Sequence, residues 1–209
     1  MTEKTKQHLR RYVVFAMGMI IDSIGIAFIT RAGLGTSPIS GIPFVLSLIL
    51  PPSIGTFTFL FNMVYVAAEA ILRKEFTKVQ AAQIPISLFF AVCIDAAMSI
   101  IPSQYGQFYL YSVAYLVIGC VIAAFGISLE VMADVIMLPA EALIRAISKK
   151  IGVRFGNVKI GFDTCLTIIA VVIALLSFHK LNGVREGTIF DALFVGQMIK
   201  FFVDKGEPM

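Results

Sequence analysis

Long apolar runs, separated by short polar connections, make up most of the chain. Several of them reach the roughly 17–25 residues that a membrane-spanning helix needs. Six runs predict six spans: Val13–Thr30, Ile54–Leu72, Gln83–Ile101, Tyr109–Leu129, Val158–Phe178 and Thr188–Val203. The pattern therefore predicts an all-α fold, a polytopic transmembrane helical bundle in contact with the lipid bilayer.

Two further segments do not fit a crossing helix. Ser37–Leu50 precedes a Pro-Pro pair and would cover only about 21 Å, against a hydrocarbon layer of about 30 Å. Val131–Ile147 is long enough, but charged residues lie in it or just before it: Glu130, Asp134, Glu141 and Arg145. Both segments are predicted as re-entrant or half-buried helices, and the sequence alone leaves open whether either one crosses.

Glycine and proline residues recur at a constant spacing of 101 positions (for example 126 − 25). The matched pairs are Gly18 with Gly119, Gly25 with Gly126, Pro38 with Pro139 and Gly55 with Gly156, and Asn62 falls on Asp163. This gap-free register predicts two homologous halves. The predicted organisation is a basic N-terminal tail (1–12), repeat 1 (13–101), a linker with the start of a span (102–113), repeat 2 (114–203) and a C-terminal tail (204–209).

Basic residues predict how the chain lies in the membrane. If neither short segment crosses, each half has three crossings. The N-terminus, the RKEFTK and SKKIGVR stretches and the C-terminus then lie on the cytoplasmic side, and mainly Arg31, Lys180 and Arg185 lie outside. An odd number of crossings per half inverts the second repeat relative to the first. We expect a multi-pass cell-membrane protein with a cytoplasmic N-terminus.

Composition narrows the classes of function. The 209 residues are 58% hydrophobic and only 14% charged, with a mean hydropathy of +0.91, whereas a soluble domain is roughly 25% charged. The net charge of +4 is explained by the positive-inside bias and does not indicate a nucleic-acid partner. Cys93, Cys120 and Cys165 lie in apolar runs without a CxxC motif, so neither a metal site nor a disulfide is predicted.

The sequence lacks the motifs of intramembrane enzymes and of ATP hydrolysis. Its histidines are His8 and His179, so a serine hydrolase in the membrane would lack its base. No His-Glu-x-x-His or Walker motif occurs. We predict that the chain is not an enzyme and uses no cofactor.

The stretch AGLGTSPIS interrupts the apolar pattern at membrane depth. Irregular backbone is tolerated there only where protein or a water-filled cavity surrounds it. Gly33 and Gly35 permit positive φ angles, and Ser37 before a proline predicts the N-cap of a new short helix. The free N–H groups of that helix would bind an anionic group, assisted by Thr36 and Ser40. The alternative is that the glycines only allow close helix packing.

Acidic residues in or beside apolar runs must face the protein interior, a cavity or an interface, because exposing them to lipid is costly. Glu141, Asp163 and Asp191 are such residues in the second half, and Asn62 is the first-half counterpart of Asp163. We predict that they bind substrate together with the loop before the short helix. The alternative is a structural role in i,i+4 ion pairs. Those pairs would be Glu141 with Arg145 and Lys159 with Asp163.

Three other carboxyl groups are candidates for proton or ion coupling. Asp22 and Asp95 lie in apolar segments without a basic residue within a helical turn. Each is either protonated, hydrogen-bonded across helices or part of a proton or cation pathway. Asp134 lies four residues after Glu130 and has the same charge, which indicates either a site or a solvated helix entrance.

Three stretches carry a family resemblance: GLGTSPISGIP, IGTFTFLFNMVY and VREGTIFDALFVGQMIKFF. They resemble the bacterial YczE/YyaS/YitT group of multi-pass membrane proteins, most closely the YczE type, over essentially the whole membrane chain. The resemblance implies a small bacterial inner-membrane protein built from a duplicated unit, with transport as the function usually suspected. It does not indicate a substrate.

Together these features predict a secondary transporter of a small polar solute, working by alternating access between two repeats. An anion-binding helix N-terminus beside carboxyl groups fits a zwitterion, such as an amino-acid-like compound. Two alternatives stay open: a substrate-capturing subunit that needs a separate energising partner, and a membrane scaffold or accessory protein without a ligand. A homodimer is compatible with so little enclosed protein interior, but no motif demonstrates one.

Overall fold

Eight α-helices form the computed structural model of the protein, which describes residues 3–103, 108–179 and 182–205. They are α1 (Glu3–Arg31), α2 (Pro38–Ile49), α3 (Ile54–Arg73), α4 (Lys78–Ile100), α5 (Tyr109–Ala133), α6 (Pro139–Ile151), α7 (Phe155–Phe178) and α8 (Glu186–Lys205). The described residues contain no strand, so the predicted all-α bundle is confirmed. Parts of the predicted linker and of both predicted tails, and Lys180, lie outside the described residues.

Five of the described helices are long and apolar enough to cross a membrane: α1, α3, α4, α5 and α7. The sixth predicted span, Thr188–Val203, lies within α8, which is not among these five. With 20 residues α8 would reach about 30 Å, but it carries Glu186, Asp191 and Lys200. The helices α2 and α6 have 12 and 13 residues and cover only about 18–20 Å, too short for a hydrocarbon layer of about 30 Å.

The start of α2 lies where the sequence predicts it. Ser37 is the N-cap, its hydroxyl oxygen accepts a hydrogen bond from the Ser40 N–H at 3.4 Å, and Pro38 is the first helical residue. Gly33 and Gly35 have φ angles of 74° and 117°, so the predicted positive φ angles are confirmed. The chain thus turns between α1 and α2 within a few residues.

The second short helix is displaced from its predicted position. It was expected at Val131–Ile147 and lies at Pro139–Ile151, because α5 continues to Ala133. Asp134 ends α5 in the left-handed conformation, with φ 46°. Asp134 is therefore the C-cap residue of α5, four residues after Glu130.

The tightest helix contact joins α1 and α5, the first helices of the two predicted repeats. These helices run antiparallel, since Gly18 lies against Gly126 and Gly25 lies against Ala123. The absent side chains let the two backbones meet. A Cβ atom on Gly126 would lie only 2.4 Å from the backbone nitrogen of Asp22. Small residues allow such close contacts between helices in membranes.

The other helix contacts follow a matching pattern in the two halves. Helix α1 packs on α4 as α5 packs on α8, and α2 packs on α7 as α6 packs on α3. The exception is the α3–α4 contact, because α7 and α8 make no comparably close contact within the described residues. Helix α7 therefore keeps much apolar surface on the outside, such as Leu176 at 75% exposure, which suits contact with lipid.

Gly126→Ala is expected to destabilise the protein, although alanine is the better helix former by about 1 kcal/mol. Its Cβ atom would collide with backbone atoms of α1, which cannot rotate away. Such overpacking typically costs about 1–3 kcal/mol, and each kcal/mol lowers Tm by roughly 2–4 °C for a chain of this size. Thermal unfolding of the detergent-purified protein measures the effect.

Gly161→Ala is the matched control for this substitution. Gly161 also lies inside a helix, but a Cβ atom there meets nothing within 4 Å. This variant is expected to keep or raise the Tm. Equal Tm values for the two variants would contradict the close α1–α5 contact.

Candidate functional site

A cavity of about 170 Å³, here called the central cavity, lies between the two halves. An engineered protein cavity of about 150 Å³ admits benzene, so this volume suits a solute of roughly six heavy atoms. Most lining residues form nine pairs whose numbers differ by 101. They are Asp22/Ala123, Ile26/Ile127, Ile29/Glu130, Ser37/Leu138, Ile39/Ala140, Ser40/Glu141, Thr58/Lys159, Asn62/Asp163 and Phe90/Asp191. Matched positions of the two halves therefore face one space.

Seven of the twelve residues predicted from the sequence line the central cavity. They are Asp22, Ser37, Ser40, Asn62, Glu141, Asp163 and Asp191. The other five lie elsewhere: Gly33, Gly35, Thr36, Asp95 and Asp134. The start of α2 and the acids of the second half, which are distant in sequence, thus meet in the fold.

One of the two predicted ion pairs forms. Lys159 Nζ lies 3.3 Å from Asp163 Oδ2, on one face of α7. Glu141 and Arg145 make no ion pair in the described part of the chain, and the Arg145 guanidinium contacts the Met137 sulfur at 3.3 Å. The Glu141 carboxyl group is therefore not engaged by its own helix.

Three acids of the central cavity are almost fully buried. Asp22 is 4% exposed, Glu130 8% and Asp191 4%. Asp191 Oδ1 accepts a long hydrogen bond from Cys120 Sγ at 3.7 Å. One oxygen of Asp22 and one of Glu130 have no hydrogen-bond partner among the residues that the structure describes. Unpaired buried carboxylates are costly, so these two groups need a proton, a cation or a donor from a ligand.

A larger cavity of about 450 Å³ lies beside the central cavity, at the end of the bundle where α1 begins. We call it the proximal cavity. It is lined by residues at helix ends, such as Arg73, Asp134 and Lys149. It shares four lining residues with the central cavity: Ile127, Glu130, Leu138 and Glu141. A single layer of side chains therefore separates the two spaces.

Sequence reasoning missed some polar residues of these cavities. In the proximal cavity, Glu69 Oε1 lies 2.7 Å from Arg73 Nε, and the buried Gln83 amide donates to the Met137 carbonyl at 3.0 Å. In the central cavity, Thr58, Glu130 and Lys159 are missing from the predicted set. Lys159 could have been included as the predicted ion-pair partner of Asp163, and the spacing of 101 then leads to its counterpart Thr58.

The loop between α1 and α2 closes the other end of the central cavity. Thr36 is fully buried, and its hydroxyl is 2.8 Å from the Thr30 hydroxyl, so it is not presented to a solute. Gly35 lies so close to the start of α8 that a Cβ atom there would be 2.5 Å from Thr188 Oγ1. The predicted roles of Gly35 and Thr36 in anion binding are not supported by this placement.

Two hydrogen bonds tie the same loop to the chain before and at the start of α8. The Gly187 N–H donates to the Leu34 carbonyl at 2.8 Å, and Arg185 Nη1 donates to the Gly33 carbonyl at 3.2 Å. We call residues 33–36 together with 185–188 the distal seal. Gly33 thus belongs to a backbone contact rather than to a solute-binding surface.

Asp95 lies beyond the distal seal, beside a third cavity of about 470 Å³. Its carboxylate accepts hydrogen bonds from the Ser53 hydroxyl at 2.6 Å and from the Gly55 N–H at 2.8 Å. Asp95 therefore caps the N-terminus of α3, which is the hydrogen-bonded alternative that the sequence left open. This distal cavity, which Arg31 also lines, shares no described lining residue with the central cavity.

Comparison with known proteins places the chain in a family. No curated protein and no solved structure matches it. One family profile matches residues 9–204. This range covers all eight helices except residues 3–8 at the start of α1 and Lys205 at the end of α8. The chain therefore belongs to a family of unknown function, DUF6198.

Proposed function

We propose that the protein is a secondary transporter of a small polar solute, which passes through the central cavity by alternating access between two inverted repeats. The arrangement of the cavities carries this proposal. Matched positions of the two halves line the central cavity, one layer of side chains separates it from the proximal cavity, and the distal seal closes its other end. A scaffold has no need of this arrangement.

The direction of the helices supports an inverted relation between the repeats. Counterparts in parallel repeats would run in the same direction, whereas α1 and its counterpart α5 are antiparallel. The two short helices both begin at the central cavity, with Ser37 and Leu138 as matched N-caps. Broken or half-length helices that begin at a midplane site are typical of secondary transporters.

Matched positions differ between the two ends in a way that supports alternating access. Leu34 and Gly35 are packed into the distal seal. Their counterparts Val135 and Ile136 line the open proximal cavity. An exchange of these two arrangements would close the proximal side and open the distal side. The structure then corresponds to a state that faces the proximal end, with one layer of side chains between the central cavity and the open proximal cavity.

Charge supports an orientation with the proximal end in the cytoplasm. Arg73 and Lys149 lie at the proximal cavity, and the basic residues at the beginning of α1 and of α4 lie at the same end. The described basic residues at the distal end are Arg31 and Arg185. The positive-inside rule then puts the N-terminus in the cytoplasm, and the resemblance to the YczE group implies a bacterial inner membrane.

The proposed solute is small and amino-acid-like. Ser37 and Ser40 bring the N-terminus of α2 to the central cavity, where it favours an anionic group. The acids of the second half favour a cationic group in the same space. A zwitterion of about six heavy atoms satisfies both ends and the volume.

Asp163→Asn is expected to lower uptake about tenfold or more, because it leaves the Lys159 ammonium unpaired beside the central cavity. The measurement is uptake of labelled amino acids and amines into proteoliposomes. Thr164→Ala is the control, since Thr164 is exposed and its hydroxyl donates to the Ile160 carbonyl of its own helix.

Each outcome of this uptake experiment separates the alternatives. Normal uptake by well-folded Asp163→Asn would contradict its place in the site. Tight binding without uptake by the wild type would favour a capturing subunit with a separate energising partner. Absence of any ligand, with Asp163→Asn and Glu141→Gln both tolerated, would favour a scaffold.

A cysteine at Ser40 is expected to react from the proximal side only. In a variant without Cys93, Cys120 and Cys165, Ser40→Cys should be labelled by a small membrane-impermeant thiol reagent at least about tenfold faster in inside-out than in right-side-out vesicles. Ser47→Cys is the matched control. It lies on the same helix but lines the distal cavity, so it should react from the opposite side.

Arg185→Ala is expected to raise labelling of Ser40→Cys from the distal side, because it removes one of the two hydrogen bonds of the distal seal, the one to the Gly33 carbonyl. Arg185→Lys keeps the charge and a donor and should change the rate less. Equal labelling of Ser40→Cys from both sides while Arg185 is intact would contradict a seal at the distal end.

A further inference from the structure

The central cavity holds more carboxyl groups than its basic residues can pair. Five acids line it: Asp22, Glu130, Glu141, Asp163 and Asp191. Lys159 is the single basic residue of the described lining, and it already pairs with Asp163 at 3.3 Å. Four carboxyl groups are therefore left without a basic partner among the lining residues.

Two of these four groups also carry a fully buried oxygen that makes no hydrogen bond within the described residues. Asp22 and Glu130 are both more than nine-tenths buried, and Asp22 Oδ1 and Glu130 Oε1 have no hydrogen-bond partner in the described structure. Packing of α1 on α5 brings the two residues to one seam. Gly18 lies against Glu130 and Gly126 lies against the Asp22 backbone, each within one turn of the acid on its own helix.

We infer that Asp22 and Glu130 form a subsite for the primary ammonium group of a small amine, an inference that rests on the proposed function of the central cavity. An ammonium group offers three N–H donors and a positive charge, which the unpaired oxygens of two buried carboxylates need. Ile26, Phe90 and Val195 line the same cavity and suit a short alkyl chain.

A metal ion fits this cavity less well. Calcium takes six to eight oxygen ligands from several groups around one point. Among the described residues, no three acidic, histidine or cysteine side chains converge in that way. The apolar walls also match an organic cation better than a hydrated ion.

Ligand-dependent thermal unfolding of the detergent-purified protein at neutral pH tests this inference. The probes are propylamine, propionamide and propionate, which have similar size and carry a positive, no and a negative charge. β-Alanine, the zwitterion, is a fourth probe. Propylamine is expected to raise the Tm in a saturable manner, whereas propionamide and propionate have no effect. A response to β-alanine as well would assign a zwitterion to the subsite, and no response would assign a purely cationic amine.

The variants Asp22→Asn and Glu130→Gln are each expected to weaken the apparent Kd for propylamine about tenfold or more. Without ligand they should unfold at or above the wild-type Tm, since each removes a buried charge without a partner. A lost response then reports binding and not misfolding. Glu75→Gln, at an exposed position between α3 and α4, is the control that removes one negative charge elsewhere and should respond like the wild type.

Three results would overturn the inference: no response to either amine, an equal response to propionate or propionamide, or a wild-type response in both cavity variants. The sided labelling of Ser40→Cys needs no amine. A failure here therefore leaves that test of alternating access intact, and a failure there leaves amine binding to be judged by these measurements.

Discussion

The backbone contact between α1 and α5 is the interaction on which the rest of the structure depends. Gly25 meets Ala123 and Gly126 meets Asp22 without an intervening side chain, so the first helices of the two halves touch along their middle turns. In lipid no hydrophobic force drives helices together, and such close packing of small residues provides the attraction. The same contact sets the geometry of the central cavity, since Asp22 and Glu130 lie on its seam. Packing and solute chemistry thus share one interface.

The two halves use one plan with different side chains, and the difference decides which end is closed. Glycine at position 35 lets the loop approach the start of α8, and its counterpart Ile136 has a branched side chain that would fill such a contact. The two halves also differ in where their last helix begins. Helix α8 begins at Glu186, whereas the counterpart of Glu186 is Pro85, which already lies inside α4. The residues just before Glu186 are therefore not helical and can form the distal seal. These local differences in sequence make the distal and proximal ends of the central cavity unequal.

Much of the fold follows from patterns that lie within one segment. Apolar length predicts the long helices, and the Ser37–Pro38 cap predicts the start of α2 within one residue. The predicted start of α6 was wrong, because its N-cap residue Leu138 has no side chain that signals a helix start. The end of α5 depends on Asp134, which adopts the left-handed conformation. That conformation is uncommon outside glycine and leaves little trace in sequence. Helix α8 was difficult to predict for a different reason. Its length suits a membrane crossing, but its charged residues reduce its apolar character.

Most residues of the site could be predicted from the sequence, but the role of each residue could not. The free-energy cost of exposing a carboxyl group to lipid is enough to indicate that these acids face a cavity, and most of the predicted acids do face one. Which partner each acid meets depends on helices far apart in sequence. The Asp95 carboxylate accepts hydrogen bonds from the N-terminus of the neighbouring helix α3, whereas Asp22 has an oxygen that no described protein group satisfies. The two were alike in the sequence. The carboxylate oxygen without a hydrogen-bond partner marks the place where a ligand can donate a hydrogen bond, because no described protein group donates one.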